Sequence, residues 1–219
     1  MPAGGSHASP TNTGRAVDRL INFSDAVVAV AITVMVLPLI DIPGPEGGQT
    51  VWVVLLDHAG QISTFLFTFF VVAIMWLTHN RILNQIRGYD AVIFWTNTTW
   101  LAAIVLLPWL SAMYGESSGG QGSVGLVYWT ALAFISVLGS MLGRHIRRHP
   151  EFVDAPAPAA RSGPNGSRAT LRGPVFAVYF LATGVVSVFL PHVASWMPLG
   201  LILLSIWLRP GGEGQPEEG

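Results

Sequence analysis

Long apolar runs, each closed by a charged residue or a histidine, set the pattern of this 219-residue chain. A membrane-crossing helix needs about 20 mostly apolar residues. The first run lies between Asp25 and Asp41, with Ala26 to Ile40 uncharged. The second runs from about Ala59 to Thr78, between His58 and His79. Asp90 and Glu116 bound a third, Ala91 to Met113, and a fourth covers Val124 to Gly143 before Arg144. Gly173 to Leu208 holds a single ionisable group, His192. As one helix it would reach about 54 Å against roughly 30 Å of hydrocarbon. Leu190-Pro191-His192 supplies a break, giving a fifth span to about Leu190 and a short sixth to Leu208. The pattern predicts an all-α integral membrane protein with six transmembrane helices; five spans plus a re-entrant segment is the alternative.

Composition agrees. Half the residues are apolar (51%) and only 11% are charged, against about 25% in a soluble domain. Charge placement adds orientation. All 11 basic residues are arginines. Arg15 and Arg19 precede span one, and Arg81 and Arg87 separate spans two and three. Arg144, Arg147, Arg148, Arg161, Arg168 and Arg172 separate spans four and five, and Arg209 follows span six. The opposite loops carry Asp41, Glu46, Asp57 and Glu116 and no arginine. By the positive-inside rule both termini are cytoplasmic, in a multi-pass protein of the cell membrane.

The remaining segments read as tails and a linker. Residues 1–14 lack an apolar core, so no signal peptide is expected, and they and 209–219 read as disordered tails. Residues 15–149 carry spans one to four, 150–172 form a Pro/Ala/Arg-rich cytoplasmic linker, and 173–208 carry spans five and six. A net charge of -1 gives no reason to expect a nucleic-acid partner, and the absence of Cys excludes disulfides and thiolate chemistry. No HExxH or GxSxG occurs, so no enzyme is indicated. Spans two to six hold no deep Asp, Glu or Arg, which speaks against a carboxylate-coupled pump and against a voltage sensor. There is no TVGYG filter. His7 and His58 read as solvent or interface residues, and His145 and His149 need no special role in the basic loop.

The informative stretch is span one (about 24–40) with its lead-in, Arg19 to Pro38. In a continuous helix Arg19 and Asp25 point about 120° apart, so each needs partners elsewhere, while Asn22 lies one turn before Asp25. Ser24 and Asp25 also fit a helix N-cap and a first-turn acid. Trp76, His79 and Asn80 close span two at the same membrane boundary. A network of Arg19, Ser24, Asp25, His79 and Asn80 is therefore open to the fold. The plainer alternative makes Trp76 an aromatic-belt residue and His79 a polar helix end.

Arg19-x-x-x-Phe23-Ser24-Asp25 resembles the RxxxFSD signature of the transmembrane-protein-175 potassium channels, and Trp76 with His79 resembles the span-two partner motif of that family. The likeness continues through FSDAVVAVAITVMVLP, the first pore helix of those channels. The resemblance implies one six-span repeat per subunit, a homotetramer, and a potassium-selective or potassium-preferring pore lined by span one. It implies no cofactor beyond permeant K+, and no partner beyond other copies of the chain and the bilayer. Val30, Thr33 and Leu37 share one helical stripe. Val30 stands where animal members carry an Ile constriction, and a ring of Thr33 hydroxyls would meet a partly dehydrated K+. The local alternative for Thr33 is a hydrogen bond back to the Ala29 carbonyl. In this reading Arg19, Phe23, Ser24, Asp25, Trp76, His79 and Asn80 govern assembly and gating.

A secondary transporter of a small ion or solute is the rival reading. Pro38, Pro108 and Pro191 would break helices as such folds require. However, the chain shows no internal repeat and no coupling carboxylate in its spans.

Overall fold

A computed structural model describes residues 14–117, 122–153, 164–190 and 200. Those residues form helices α1 (Gly14–Val34), α2 (Leu37–Ile40), α3 (Val51–Asp57), α4 (Ala59–Leu83), α5 (Ala91–Glu116), α6 (Gly122–Arg148) and α7 (Pro164–Phe189), with a 3-10 turn at Pro150–Phe152. Four segments are long and apolar enough to cross a membrane: Gly14–Ile40, Ala59–Leu83, Ala91–Glu116 and Gly122–Arg148. The apolar part of α7, Gly173–Phe189, is shorter. The sixth span and both tails expected from the sequence lie outside the described residues.

Two boundaries differ from the sequence expectation. Helix α1 begins at Gly14, ten residues before the start read for span one, and so takes in the last residue assigned to the N-terminal tail. Charge does not stop it, because one face of its first turns is apolar and packed: Val17, Leu20 and Ser24 are buried while Arg15, Asp18 and Arg19 face outward. Ser24 and Asp25 are therefore mid-helix residues rather than a cap. The linker is also shorter than read. Its first residues form the 3-10 turn, Val153 bridges to Ile86, and α7 starts at Pro164. Proline suits that position, since the first helical turn needs no N–H from it.

Pro38 shapes the other end of α1. Proline has no N–H and its ring crowds the preceding turn. The helix tightens there, with Val36 N–H donating to Thr33 O at 3.3 Å and Leu39 N–H donating to Val36 O at 2.9 Å, before the short α2. The connection to α3 then reverses at Gly47 and Gly48, whose φ values of 58° and 86° suit glycine. Helix α3, which the sequence reading did not anticipate, exposes Trp52 and Leu56 beside α4.

Helix α6 packs along both α5 and α7, α4 packs on α5, and α1 lies against α5 and α4. Trp100, Tyr128, Trp129 and Phe180 are almost fully buried in the main core. There the Tyr128 hydroxyl meets Thr68 Oγ1 at 2.6 Å and its ring stacks on Tyr114 at 4.7 Å. Glycines bring α6 and α7 together: a Cβ on Gly125 would lie 2.7 Å from Ser187 Oγ. Small residues at such crossings let membrane helices approach closely.

Candidate pore face and polar network

Helix α1 has two unlike faces. Val17, Leu20, Ser24, Val28, Ala31 and Met35 recur every three or four residues and are buried against α4 and α5. The opposite face carries Arg19, Asn22, Phe23, Ala26, Ala29, Val30 and Thr33, all exposed, and the exposed Leu37 follows as the first residue of α2. Val30 is 62% exposed and Leu37 53%, against 2% for Val28. Val30 and Thr33 thus share the open face, and Leu37, past the tightened turn, is exposed as well.

That face mixes polar and apolar side chains, and exposed hydroxyls also occur elsewhere, at Thr78 of α4 and Thr99 of α5. Helix α4 presents Leu66, Phe70, Ile74 and Leu77, and α7 presents Val178, Leu181, Val185 and Val188, large side chains that suit lipid. Helix α1 offers alanines, Asn22 and a hydroxyl between its branched residues. Thr33 Oγ1 donates to the Val30 carbonyl at 2.8 Å rather than to that of Ala29. Its proton is thereby committed, while the hydroxyl oxygen keeps its lone pairs for an incoming donor or cation.

The motif residues fall into two groups rather than one network. In the first, Trp76 Nε1 donates to Asp25 Oδ1 at 2.7 Å, and Asn80 Nδ2 reaches Oδ1 and Oδ2 at 3.0 and 3.1 Å. Trp76 and Asn80 stand one turn apart on α4, so a single helix face presents both donors to the carboxylate. Asn84, one turn further, donates to Asn80 Oδ1 at 2.6 Å and orients that amide.

In the second group the buried Ser24 hydroxyl donates to the Leu20 carbonyl at 2.8 Å and accepts from Asn97 Nδ2 of α5 at 3.0 Å. His79 belongs to this side. It is buried and stacked on Trp100 of α5, with ring centres 3.9 Å apart and planes within 10°. Arg19 joins neither group: it is exposed and forms no ion pair among the described residues. Asn22 and Phe23 share its face.

Asn84, Asn97 and Trp100 were not anticipated. Asn97 was the most accessible of them, since an amide within an otherwise apolar run must find a partner when buried. Asp25 and Ser24 sit at adjacent positions on α1 and so bind two different neighbours, α4 and α5. His145 and His149 also acquire partners that the sequence reading did not give them: His145 Nε2 lies 2.8 Å from Asp90 Oδ2, and His149 Nδ1 2.8 Å from Glu151 Oε1.

Comparisons with known proteins bear on this arrangement. Residues 19–108, which contain both polar groups and the open face, match the family model of the endosomal/lysosomal potassium channel TMEM175, a family of ion channels rather than enzymes. The chain is 27% identical over 149 residues to a potassium channel of Streptomyces collinus, covering 66% of this chain and 72% of that protein. It is 26% identical over 193 residues to the endosomal/lysosomal proton channel TMEM175 of Gallus gallus, covering 85% of this chain and 37% of that protein. The chain therefore spans little more than a third of the chicken relative. In fold it resembles the crystal structure of a lysosomal potassium-selective channel TMEM175 homolog from Chamaesiphon minutus, with a TM-score of 0.69 at 21% identity over 90% of this chain and all of that one.

Proposed function

We propose that this chain, a homologue of the TMEM175 channels over residues 19–108, forms a potassium-permeable pore as a homotetramer, with α1 of each subunit facing the central axis. The observation that carries the reading is the open face of α1, where Val30 and Thr33 stand exposed on a helix whose other face is packed, with Leu37 exposed at the start of α2. A monomer would present this mixed face to lipid. Four copies around an axis turn it inward.

In that arrangement Val30 and Leu37 form apolar rings that shut the pore by excluding water, as hydrophobic constrictions do. Thr33, between them, supplies a ring of hydroxyl oxygens. With their protons held by the Val30 carbonyls, these oxygens point toward a cation as acceptors and replace part of its hydration. Selection of K+ over Na+ then arises from side chains, in a chain without a TVGYG filter. The Asp25–Trp76–Asn80 and Ser24–Asn97 contacts hold α1 at the angle that presents the stripe, with His79 and Trp100 packed beside them. The arginine-rich loops and both termini face the cytoplasm of a cell membrane.

Reconstitution into liposomes tests the reading. A potassium gradient alone is expected to drive flux, with unitary currents in planar bilayers. Flux that requires a coupled gradient would assign a transporter instead. A proton-selective current would assign the ion for which the Gallus gallus relative is named. Intact, tetrameric protein that passes no ion would overturn the channel.

A further inference from the structure

Away from the α1 face, at the arginine-bearing end of the bundle, four ionisable side chains stand in a row. Asp90, the N-cap of α5, accepts from Ile93 N–H through Oδ1 at 2.8 Å and meets His145 Nε2 of α6 through Oδ2 at 2.8 Å. One turn along α6, the His149 ring centre lies 4.5 Å from that of His145. His149 Nδ1 in turn sits 2.8 Å from Glu151 Oε1 on the 3-10 turn. The chain carboxylate–imidazole–imidazole–carboxylate thus joins three segments.

Backbone contacts run beside it. Arg87 N–H donates to Phe152 O at 2.8 Å, Arg87 Nη2 donates to Val153 O at 2.9 Å, and Ile86 pairs antiparallel with Val153. Beneath lies a small apolar cluster of Val17, Leu83, Ile86, Ile93, Leu142 and Ile146, with Ile21, Phe152 and Val153 packed against it. Val17 and Ile21 belong to α1. The segments joined by the four side chains therefore also grip the inner end of α1.

We propose that Asp90, His145, His149 and Glu151 form a proton-loaded clasp: protonation of the two imidazoles ties the α4–α5 connection to the α6 end and, through the shared apolar cluster, fixes the inner end of α1. Imidazoles change charge between about pH 5 and 8. Uncharged, each donates one hydrogen bond to an ionised carboxylate. Charged, each bond becomes an ion pair. The C-terminal end of α6 favours cations there as well.

Further charges surround these four side chains. The two rings repel each other once both are protonated, and Arg144, Arg147 and Arg148 crowd the same helix end. Tyr89 packs against the apolar cluster from the α4–α5 connection, which also carries Arg87, and Arg15, Asp18 and Arg19 lie on the first turns of α1. Both carboxylates stay ionised. Burial pushes Asp90 up, but the Ile93 N–H and His145 outweigh it and hold the carboxyl below 3.8. Glu151 is held below 4.5 by its own N–H and by His149. The clasp is lost when the carboxylates protonate.

The clasp stands independently of the pore; its effect on gating rests on the pore reading of α1. Because the chain has no Cys, spin labels placed at Gln85→Cys and Pro150→Cys report the closure directly, with labelled subunits diluted among unlabelled ones. The expected result is a narrow distance distribution at about pH 5.5 that broadens at about pH 8.5. In His145→Gln/His149→Gln and in Asp90→Asn the response is lost. Asparagine still caps α5, so that variant separates charge from folding. Equal distributions at both pH values in the parent, or an undiminished response in Asp90→Asn, would overturn the clasp. Potassium flux at the same two internal pH values forms the second arm. A pH-dependent distance with pH-independent flux overturns the gating link alone, and a pH-dependent distance without any flux overturns the pore while leaving the clasp.

Discussion

The indole Nε1 of Trp76 donates to Asp25 Oδ1 across 2.7 Å, tying α1 to α4 through a half-buried carboxylate. Asn80 adds a second donor from the next turn. A carboxylate at this depth needs such partners, because leaving a buried polar group unpaired costs about 1–3 kcal/mol. Trp76→Phe and Asn80→Ala are each expected to lower stability by about that amount, and Asp25→Ala, which strands both donors, by no less. The double variant Trp76→Phe/Asn80→Ala should fall short of the sum, since both act on one carboxylate. Thermal unfolding followed by size-exclusion chromatography measures this. His79→Ala, which removes the ring stacked on Trp100, should likewise weaken assembly or lower open probability. In all these variants the K+/Na+ permeability ratio is expected to stay at the parent value. A changed ratio would place these residues in the ion path instead.

In the proposed pore, selectivity rests on Thr33. Thr33→Val keeps the branched shape but removes the oxygen, and should lower the K+/Na+ ratio several-fold, whereas Thr33→Ser should retain most of it. Val30→Ala trims the adjacent apolar ring and is expected to raise resting leak with little change in the ratio. Reversal potentials under bi-ionic conditions read both effects. A ratio unaffected in Thr33→Val and in Thr33→Ala would remove the hydroxyl ring from the mechanism.

Spans two to four were legible because charged residues and histidines bracket them, and α4, α5 and α6 run within a few residues of those brackets. The start of α1 was not read from the same rule, because Arg15, Asp18 and Arg19 interrupt the apolar count although they lie on the outward side. Periodicity would have found it: Val17, Leu20, Ser24, Val28, Ala31 and Met35 already mark a buried stripe. Of the polar site, Asp25 with Asn80 was legible from antiparallel geometry. The division into two groups was not, because Asn97 and Trp100 come from a third helix whose rotation no local pattern fixes. The pairing of His145 with Asp90 crosses 55 residues and left no trace in local spacing.

Packing between α6 and α7 yields a third expectation. A Cβ on Gly125 would meet Ser187 Oγ at 2.7 Å and Cβ at 2.9 Å. Gly125→Ala forces the Ser187 side chain to move, and Gly125→Val forces the helices apart, costing about 1–3 kcal/mol or more. Gly125→Ala combined with Ser187→Ala should recover part of the loss. Thermal stability of the three variants decides it, and Gly125→Val as stable as the parent would mean that the crossing is looser than these distances require.

The last expectation concerns acid. The Asp90 carboxyl is held below 3.8 by the Ile93 N–H and His145, against the opposite push of its partial burial. A carboxylate whose folded value lies below its unfolded one contributes stability that is fully present above the unfolded value and is lost as pH falls through the folded one. Asp90 therefore supports the fold in full above its ordinary value of 3.8 and loses that contribution as pH falls through its lower folded value. The acid limb of a stability–pH profile should flatten in Asp90→Asn, which keeps the cap but cannot ionise. Asp90→Ala should lower stability at neutral pH as well, by about 0.5–2 kcal/mol for the lost cap. The difference between the two variants at pH 7 isolates the cap oxygen on Ile93, and an acid limb as steep in Asp90→Asn as in the parent would assign the acid sensitivity to another carboxylate.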